Sequence, residues 1–324
     1  MKDNIIIYVS SKNNYDMLEH EVLKNIKLSG FEFINVDDNS YDIEKENGID
    51  LCKEKNITFL ENEGIGVQWA TQTLINFINK NRPNCKWILC FQHDNYPITP
   101  NFFERISNLT NTGKIDEFGL LGFNVLDRGK YCKNHYEKWK DGEYVPGMLG
   151  LCHLSVKSES KRWISPSHNY DLCVDNWDNW KNPFIVEMPM WAAVGINVKK
   201  WNDNIEPCND YRFHLWLPDI AMKFNSLNIP TIILPKLYCM NDQDLKEKYD
   251  IPSKSVTSGF KHYFGDVSSK DSQKIFNSRW GWKYNDAKNT FGKVEKKYSN
   301  TLLSDYFNND PYKGALKTYD FGEY

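Results

Sequence analysis

The sequence predicts an α/β protein built on a mixed, mostly parallel sheet with helices on its faces, and three observations predict it. Short apolar runs rich in β-branched residues recur along the amino-terminal third of the chain, as expected for buried strands. Segments with apolar residues at helical spacing lie between several of these runs. The runs also end abruptly in acids or amides, and ligands bind at the carboxyl ends of strands in such sheets.

The first predicted strand covers residues 4–10 (NIIIYVS), because β-branched side chains favour a buried, extended backbone. A helix is predicted over residues 16–26, where Leu18, Val22 and Ile26 recur at four-residue spacing and form one apolar stripe. Residues 31–36 (FEFINV) are the second predicted strand. Together these segments predict a strand, a helix and a parallel strand.

The third predicted strand covers residues 57–60 (ITFL), and the turn 61–66 (ENEGIG) leads from it into a helix. Residues 87–91 (WILCF) form a short apolar run that predicts a fully buried fourth strand. The predicted order is therefore strand, helix, strand, strand, helix, strand. One face of the second helix carries apolar residues at helical spacing, namely Val67, Ala70, Leu74 and Ile78.

Polar residues follow three of these strands directly. Residues 37–40 (DDNS) follow the second strand and residues 61–66 follow the third. His93, Asp94 and Asn95 follow the fourth. Asp94 and Asn95 offer the hard oxygen ligands that Mg²⁺ and Mn²⁺ prefer, and His93 could add an imidazole. The alternative is that these residues only form Asp- and Asn-rich turns.

Two later segments also suggest a site. Residues 184–197 are apolar, with small residues around Gly195 that would let a ligand approach the backbone, although a strand with a bulge at Gly195 explains them as well. Pro218 suits the first position of a helix and Asp219 the second, where a carboxylate faces the positive end of the helix dipole. Residues 229–234 predict another strand.

Composition restricts the function. The chain has 324 residues and a net charge of −3 without a basic run, which does not favour nucleic acid as a partner. No apolar stretch reaches the roughly 18 residues of a transmembrane helix. Eight cysteines lie scattered, so we expect a cytoplasmic protein with reduced thiols. A zinc site is a weaker alternative for the cysteines and histidines of the aromatic-rich segment 131–180, which are Cys132, His135, Cys152, His153, His168 and Cys173.

The order of the segments VDDNS, ENEGIG and QHDN resembles the nucleotide-sugar-binding half of GT-A fold glycosyltransferases, particularly the large family-2-like group. The resemblance covers residues 4–105 well and residues 184–235 more loosely. In that group an Asp-x-Asp motif ends the fourth strand. The triplet His93-Asp94-Asn95 is a variant of it, with Asp94 as its one acid.

The resemblance implies a role for each matching residue in donor binding. It implies that Asp37 and Asp38 contact the base and ribose of a UDP-linked donor. The diphosphate would bind through Mn²⁺ or Mg²⁺ held by Asp94, Asn95 and His262, the last on a segment that could close as a lid. Without a metal, Lys261 would be needed to neutralise the diphosphate. The other residues expected around the donor are Asn62, Gly64, Gln68, His93, Trp191 and Gly195.

The resemblance also implies that Asp219 is the general base of an inverting transfer to a glycan or other hydroxyl acceptor, with Asp210 and His214 as alternatives. We expect a catalytic domain over residues 1–265, whose first 105 residues bind the donor and whose insertion 131–180 shapes the acceptor site. Residues 266–324 are expected to form a C-terminal extension. The rival functions are a viral-type glycosyltransferase acting on nucleobases or nucleic acid, and a noncatalytic sugar- or nucleotide-binding module.

Overall fold

A computed structural model describes part of the chain in detail. The described residues are 3–26, 30–128, 133–140, 142, 150–151, 181–186, 188–190, 192–211, 215–242, 245, 269–280 and 319–324.

A nine-stranded mixed sheet forms the centre of the protein, with the strand order β3-β2-β1-β4-β10-β6-β11-β5 and β8 paired to β11. The strands β1–β4, β6 and β11 run in one direction, and β5, β8 and β10 run in the other. Two further short strands, β7 (Gly150–Leu151) and β9 (Met188–Pro189), pair with each other. The strands of the main sheet are β1 (Ile5–Ser11), β2 (Glu32–Asp37), β3 (Thr58–Glu61), β4 (Trp87–Phe91), β5 (Asn95–Pro97), β6 (Leu120–Arg128), β8 (Phe184–Val186), β10 (Ala193–Asn197) and β11 (Thr231–Asp242).

Helices cover both faces of the sheet, because alternate residues of the buried strands point to opposite sides. Ile5, Ile7 and Val9 of β1 face a core formed with α1, α2 and α4, while Ile6 and Tyr8 face a second core formed with α3, α6, α7 and α8. The helices are α1 (Tyr15–Met17, continued by the π-helix Leu18–Leu23), α2 (Asp42–Glu54), α3 (Val67–Asn81), α4 (Phe102–Thr112), α5 (Lys133–Lys140), α6 (Val198–Asn204), α7 (Trp216–Ser226) and α8 (Ser269–Trp280).

The strand order reverses between β1 and β4. From β1 the chain passes to β2 and β3 on one side, and it then crosses to β4 on the other side of β1. Such a switch point opens a crevice at the carboxyl ends of the two strands, where ligands of α/β sheets bind. All the strands that run with β1 end at this edge, which therefore collects the polar strand ends predicted from the sequence.

The predicted order of strands and helices lacks one helix that the structure contains. Helix α2 connects β2 to β3, where the sequence suggested no regular structure. Its apolar pattern is weak because Ile43 and Ile49 are exposed and a glycine lies in its middle. Gly48 allows the close approach of Tyr15, since a Cβ there would lie 2.3 Å from the Tyr15 ring. Close packing, rather than helix propensity, accounts for this glycine.

Other boundaries also differ from the predictions. The predicted helix 16–26 is largely a π-helix, an uncommon form that is frequent at functional sites. Helix α7 begins at Trp216, so Pro218 is its third residue rather than its first, and Asp219 is its fourth. The apolar run 184–197 forms three short strands rather than one.

The described parts of the C-terminal extension pack on both faces of the sheet. Phe276 of α8 is buried in the core beside α3 and α7. Phe321 and Tyr324 are buried in the opposite core. The backbone N–H of Tyr319 also donates to the carbonyl of Pro183 at 2.7 Å. These segments therefore complete the two cores from opposite sides.

Within the described residues, no helix combines the length and apolar character needed to span a membrane.

Candidate active site

The turn after β2 holds Asp37 in a fixed position. The Asp37 carboxylate is buried and accepts hydrogen bonds from the Ser40 backbone N–H at 3.1 Å and from the Tyr15 hydroxyl at 2.7 Å. The Ser40 hydroxyl also donates to it. Both carboxylate oxygens are thus engaged within the protein, and Asp37 organises the turn that presents its neighbour.

Asp38 is also buried, but one of its oxygens remains open. Its Oδ1 accepts from the Gly66 backbone N–H at 2.8 Å and from Asn62 Nδ2 at 2.7 Å. No hydrogen bond from the described residues reaches Oδ2. Burial raises the pKa of Asp38 above its usual value. Oδ2 is therefore the acceptor at this strand end that can receive a hydrogen bond from a ligand.

Asn62 and Gly64 shape the loop between β3 and α3. Asn62 Nδ2 donates to Asp38, and its Oδ1 accepts from the Gly64 N–H at 3.1 Å. The carbonyl of Gly64 accepts from Asn39 Nδ2 at 3.1 Å, which joins this loop to the turn after β2. A Cβ at Gly64 would lie 2.4 Å from the Trp69 ring. These contacts hold the two loops together around Asp38.

His93 joins β4 to β1 across the switch point. Its Nε2 lies 2.8 Å from the Ser11 hydroxyl at the end of β1. Burial lowers the pKa of His93 from 6.5 to about 4, so the ring is neutral near pH 7. A neutral ring adds no positive charge beside Asp94.

The backbone of Asp94 is hydrogen bonded to that of Asp242, a second acid that the sequence analysis did not select. The backbone N–H of Asp242, the last residue of β11, donates to the carbonyl of Asp94 at 2.8 Å. Asp242 is buried, and its Oδ2 accepts from the Tyr96 hydroxyl at 2.8 Å. Asn95, also buried, donates through Nδ2 to Asp94 and has an Oδ1 without a hydrogen-bond partner among the described residues.

These side chains fit a hard divalent cation. Two carboxylates and a buried amide oxygen without a protein partner are donors of the type that Mg²⁺ and Mn²⁺ select. The described residues contain no group of three or more His, Cys, Asp or Glu side chains arranged to hold a metal, so water and substrate oxygens would have to supply further ligands.

Asp219 lies in a buried polar cluster that links three helices. Its side chain is 3 % exposed. Arg279 Nε of α8 lies 2.9 Å from Oδ1, and Gln68 Nε2 of α3 donates to Oδ2 at 3.1 Å. Burial is the largest single effect and opposes the charge of Arg279, but the charge and hydrogen bond of Asp219, together with Cys208 and Tyr211, raise the pKa of Arg279.

Gln68 is buried and connects this cluster to the loop between β3 and α3. Besides Asp219, its Nε2 donates to the carbonyl of Trp216 at 3.0 Å, and its Oε1 accepts from the Cys208 N–H at 2.7 Å. Because Gln68 follows Gly66 by two residues, the cluster around Asp219 is anchored to the loop that holds Asp38.

Gly195 lies in the middle of β10, paired with Leu89 and Leu121 in regular register. The strand has no bulge there, and a Cβ would lie 2.9 Å from Leu121 Cβ.

Asp210 is exposed and accepts a hydrogen bond from the Cys208 thiol. Several predicted site residues lie outside the described part of the chain, or have side chains outside it, namely Trp191, Lys261, His262, His214 and the candidate zinc ligands Cys132, His135, Cys152, His153, His168 and Cys173.

Sequence reasoning missed Asp242 for an identifiable reason. The last strand was predicted to end at Leu234, just before Pro235, a residue type that ordinarily interrupts a ladder. The register of β11 instead shifts between Leu234 and Tyr238, and the strand continues to Asp242. The polar end of the segment LYCMND carries the same signal as the other strand ends and could have identified Asp242.

Comparison with solved structures identifies the fold. The structure is similar to that of GalNAc-T7 with UDP, GalNAc and Mn²⁺, with a TM-score of 0.52 and 10 % sequence identity over 96 % of this chain and 57 % of that chain. The chain has a GT-A fold. A further match is the mannosyltransferase PcManGT from Pyrobaculum calidifontis in complex with GDP-Man and Mn²⁺, with a TM-score of 0.46 and 12 % identity over 73 % of this chain and 56 % of that chain.

The GT-A fold confirms the predicted fold class. This chain spans a little more than half the length of each of the two matched chains. No protein-family model and no curated protein sequence matches it.

Proposed function

We propose that this protein is a glycosyltransferase that moves a sugar from a UDP-linked donor to a hydroxyl acceptor with the help of Mn²⁺ or Mg²⁺. One observation carries the proposal. At the carboxyl edge of a GT-A sheet, the open oxygen of Asp38 lies on the β2 side of the switch point and the group Asp94, Asn95 and Asp242 lies beyond β4. Such an arrangement suits a ligand with a hydrogen-bonding nucleoside at one end and a diphosphate at the other.

The nucleoside end is assigned to Asp38. Its Oδ2 can accept from a base N–H or a ribose hydroxyl, while its Oδ1 is held by Gly66 and Asn62. Asp37 contributes indirectly, because its hydrogen bonds with Tyr15 and Ser40 hold the turn that carries Asp38. Both acids thus serve the donor nucleotide, but only Asp38 presents a free acceptor to it.

The diphosphate end is assigned to Asp94, Asn95 and Asp242, which would hold the cation together with any ligand from the segment that contains His262. A bound divalent cation would stabilise the negative charge of the leaving diphosphate. The hydrogen bond of His93 to Ser11 ties the backbone next to Asp94 to the end of β1.

We assign Asp219 as the general base that takes the proton of the acceptor hydroxyl in an inverting transfer. A carboxylate can take the proton from the attacking hydroxyl if that oxygen comes within hydrogen-bonding distance. In the present conformation the Asp219 side chain is 3 % exposed, whereas the side chain of its partner Arg279 is 40 % exposed. We infer that Arg279 moves to admit the acceptor, and that the segment 131–180 contributes to the acceptor site.

We also place the protein in the cytoplasm, in line with the state of its cysteines. The described part of the chain contains five free cysteines, all of them buried, namely Cys52, Cys85, Cys90, Cys208 and Cys239. Free thiols are usual in a reducing compartment.

A thermal-shift panel tests the proposed function. Melting temperatures are measured with UDP, UDP-sugars, GDP and GDP-sugars, each with Mn²⁺, with Mg²⁺ and with EDTA. A nucleotide at 100 times its dissociation constant should stabilise the protein by about 2.7 kcal/mol. We expect this gain for UDP or a UDP-sugar with a divalent cation and a much smaller one with EDTA. If no nucleotide raises the melting temperature under any condition, the proposed function is wrong.

A further inference from the structure

A continuous chain of hydrogen bonds connects the two ends of the proposed donor site. His93 Nε2 lies 2.8 Å from the Ser11 hydroxyl, and Ser11 donates to Asn35 Oδ1. Asn35 Nδ2 donates to the Tyr15 hydroxyl at 3.3 Å, and Tyr15 donates to Asp37 Oδ2 at 2.7 Å. All five residues are buried. The chain begins beside Asp94 and ends beside Asp38, but includes neither.

The chemistry of its last member fixes the direction of the whole chain. The Tyr15 hydroxyl donates to the Asp37 carboxylate, so the Tyr15 oxygen accepts from the Asn35 amide nitrogen. The Asn35 oxygen then faces Ser11 and accepts a hydrogen bond from its hydroxyl. The Ser11 oxygen is left to accept a hydrogen bond, which the N–H at Nε2 of His93 must donate. Every bond thus runs from His93 toward Asp37, an order in which each bond polarises the next.

Packing holds Tyr15 in the middle of this chain. Its ring lies against Gly48 of α2, where a Cβ would come within 2.3 Å of the ring. The two residues before it, Asn13 and Asn14, both adopt left-handed backbone conformations that aim the start of α1 at the end of β2. The local backbone therefore serves to place the Tyr15 hydroxyl between Asn35 and Asp37.

From this geometry we infer that Tyr15 is a positioning residue for donor binding. Through the chain from His93 to Asp37 it fixes the position of the turn at Asp38 relative to the segment at Asp94. One ligand can then bind with its nucleoside at the first and its diphosphate at the second. The inference rests on the proposed function. It assigns His93 a supporting role through Ser11, in place of the direct donor contact expected from the sequence.

Tyr15→Phe tests the inference, because it removes the hydroxyl and keeps the ring that packs on Gly48. Tyr324→Phe is the matched control, since Tyr324 is also buried and its hydroxyl accepts from the Lys236 backbone N–H at 3.5 Å, outside this chain of hydrogen bonds. Calorimetry with UDP and Mn²⁺ should show about tenfold weaker binding for Tyr15→Phe, the effect of about one lost hydrogen bond. Tyr324→Phe should bind as the parent does.

A second variant and a second measurement make the outcome independent of the stability of Tyr15→Phe. Ser11→Ala cuts the chain between His93 and Asn35 and should weaken UDP binding by a similar factor. Nitrogen NMR of the His93 ring in the parent protein, without nucleotide, should show the tautomer protonated at Nε2. Circular dichroism confirms that each variant is folded before binding is compared.

The possible results separate the two proposals. If the parent protein binds no nucleoside diphosphate, the proposed function fails and the positioning role fails with it. If the parent binds UDP and both Tyr15→Phe and Ser11→Ala bind as tightly as Tyr324→Phe, only the positioning role is overturned. A His93 ring protonated at Nδ1 would also overturn the chain, whatever the nucleotide affinity.

Discussion

Replacing Asp94 with alanine should abolish most of the gain in UDP affinity that Mn²⁺ gives the parent protein. Asp94 supplies one of only two carboxylates at the proposed cation site in the described residues, and the other, Asp242, is hydrogen bonded to Tyr96. Losing a charged ligand at such a site should cost about 100-fold in affinity or more. Calorimetry of UDP binding with Mn²⁺ and with EDTA measures this loss directly.

Two further variants define the result for Asp94. Asp116→Ala removes an exposed carboxylate that pairs with Lys86 away from the proposed site, and it should leave the Mn²⁺ effect unchanged. Asp242→Asn should reduce the Mn²⁺ effect if Asp242 shares the cation. Equal UDP affinity with Mn²⁺ and with EDTA in the parent protein would contradict the cation assignment.

Asp219→Asn should slow sugar transfer by about 100-fold or more at saturating donor, because an amide cannot take the acceptor proton. Saturating donor is required so that weaker binding does not imitate slower chemistry. The variant should also be less stable, by about 1–3 kcal/mol, because Asp219 accepts hydrogen bonds on both oxygens and an amide can accept on only one. The transfer rate and the free energy of unfolding are measured on the same samples.

A double variant separates the chemical role of Asp219 from its structural role. Arg279→Gln places an amide oxygen at the position along the side chain that Nε occupies in Arg279. In Asp219→Asn/Arg279→Gln, that oxygen can accept from the new asparagine amide while Gln68 still donates to the asparagine oxygen. The double variant should regain stability without regaining the transfer rate.

The opposite result would reassign the base. If the double variant transfers sugar at nearly the parent rate, Asp219 is only the structural partner of Arg279. The same test would then be applied to Asp210, which is exposed, and to His214, which lies outside the described residues.

Much of the fold was predictable because its signals are local. The strands β1, β2, β3 and β4 each contain a short apolar or β-branched run, and each ends in the polar residues that mark one edge of the sheet. Helix α2 was missed because few of its residues are buried and because it contains Gly48, a residue type that disfavours helices. Gly48 packs against the Tyr15 ring. Pro235 concealed the second half of β11.

The pattern of strand ends predicted where the site lies, but not which of its side chains remain open. Asp37 and Asp38 look equivalent in sequence, yet Ser40 of the same turn and the distant Tyr15 occupy the two oxygens of Asp37, while one oxygen of Asp38 stays open. The contact of Asp219 with Gln68 joins residues far apart in the chain, as does its contact with Arg279. No local pattern contains such contacts, so their effect on each carboxylate could not be predicted from the sequence.

Turnover of the donor is the most direct test of the claim that this GT-A protein is an enzyme rather than a noncatalytic nucleotide-binding module. The purified full chain is incubated with UDP-sugars and Mn²⁺, and the release of UDP and free sugar is followed over hours, with Asp94→Ala and EDTA as controls. We predict a slow release of UDP from at least one donor in the parent protein, which both controls abolish. Tight, cation-dependent binding of the donors with no release of UDP above the controls would contradict the account.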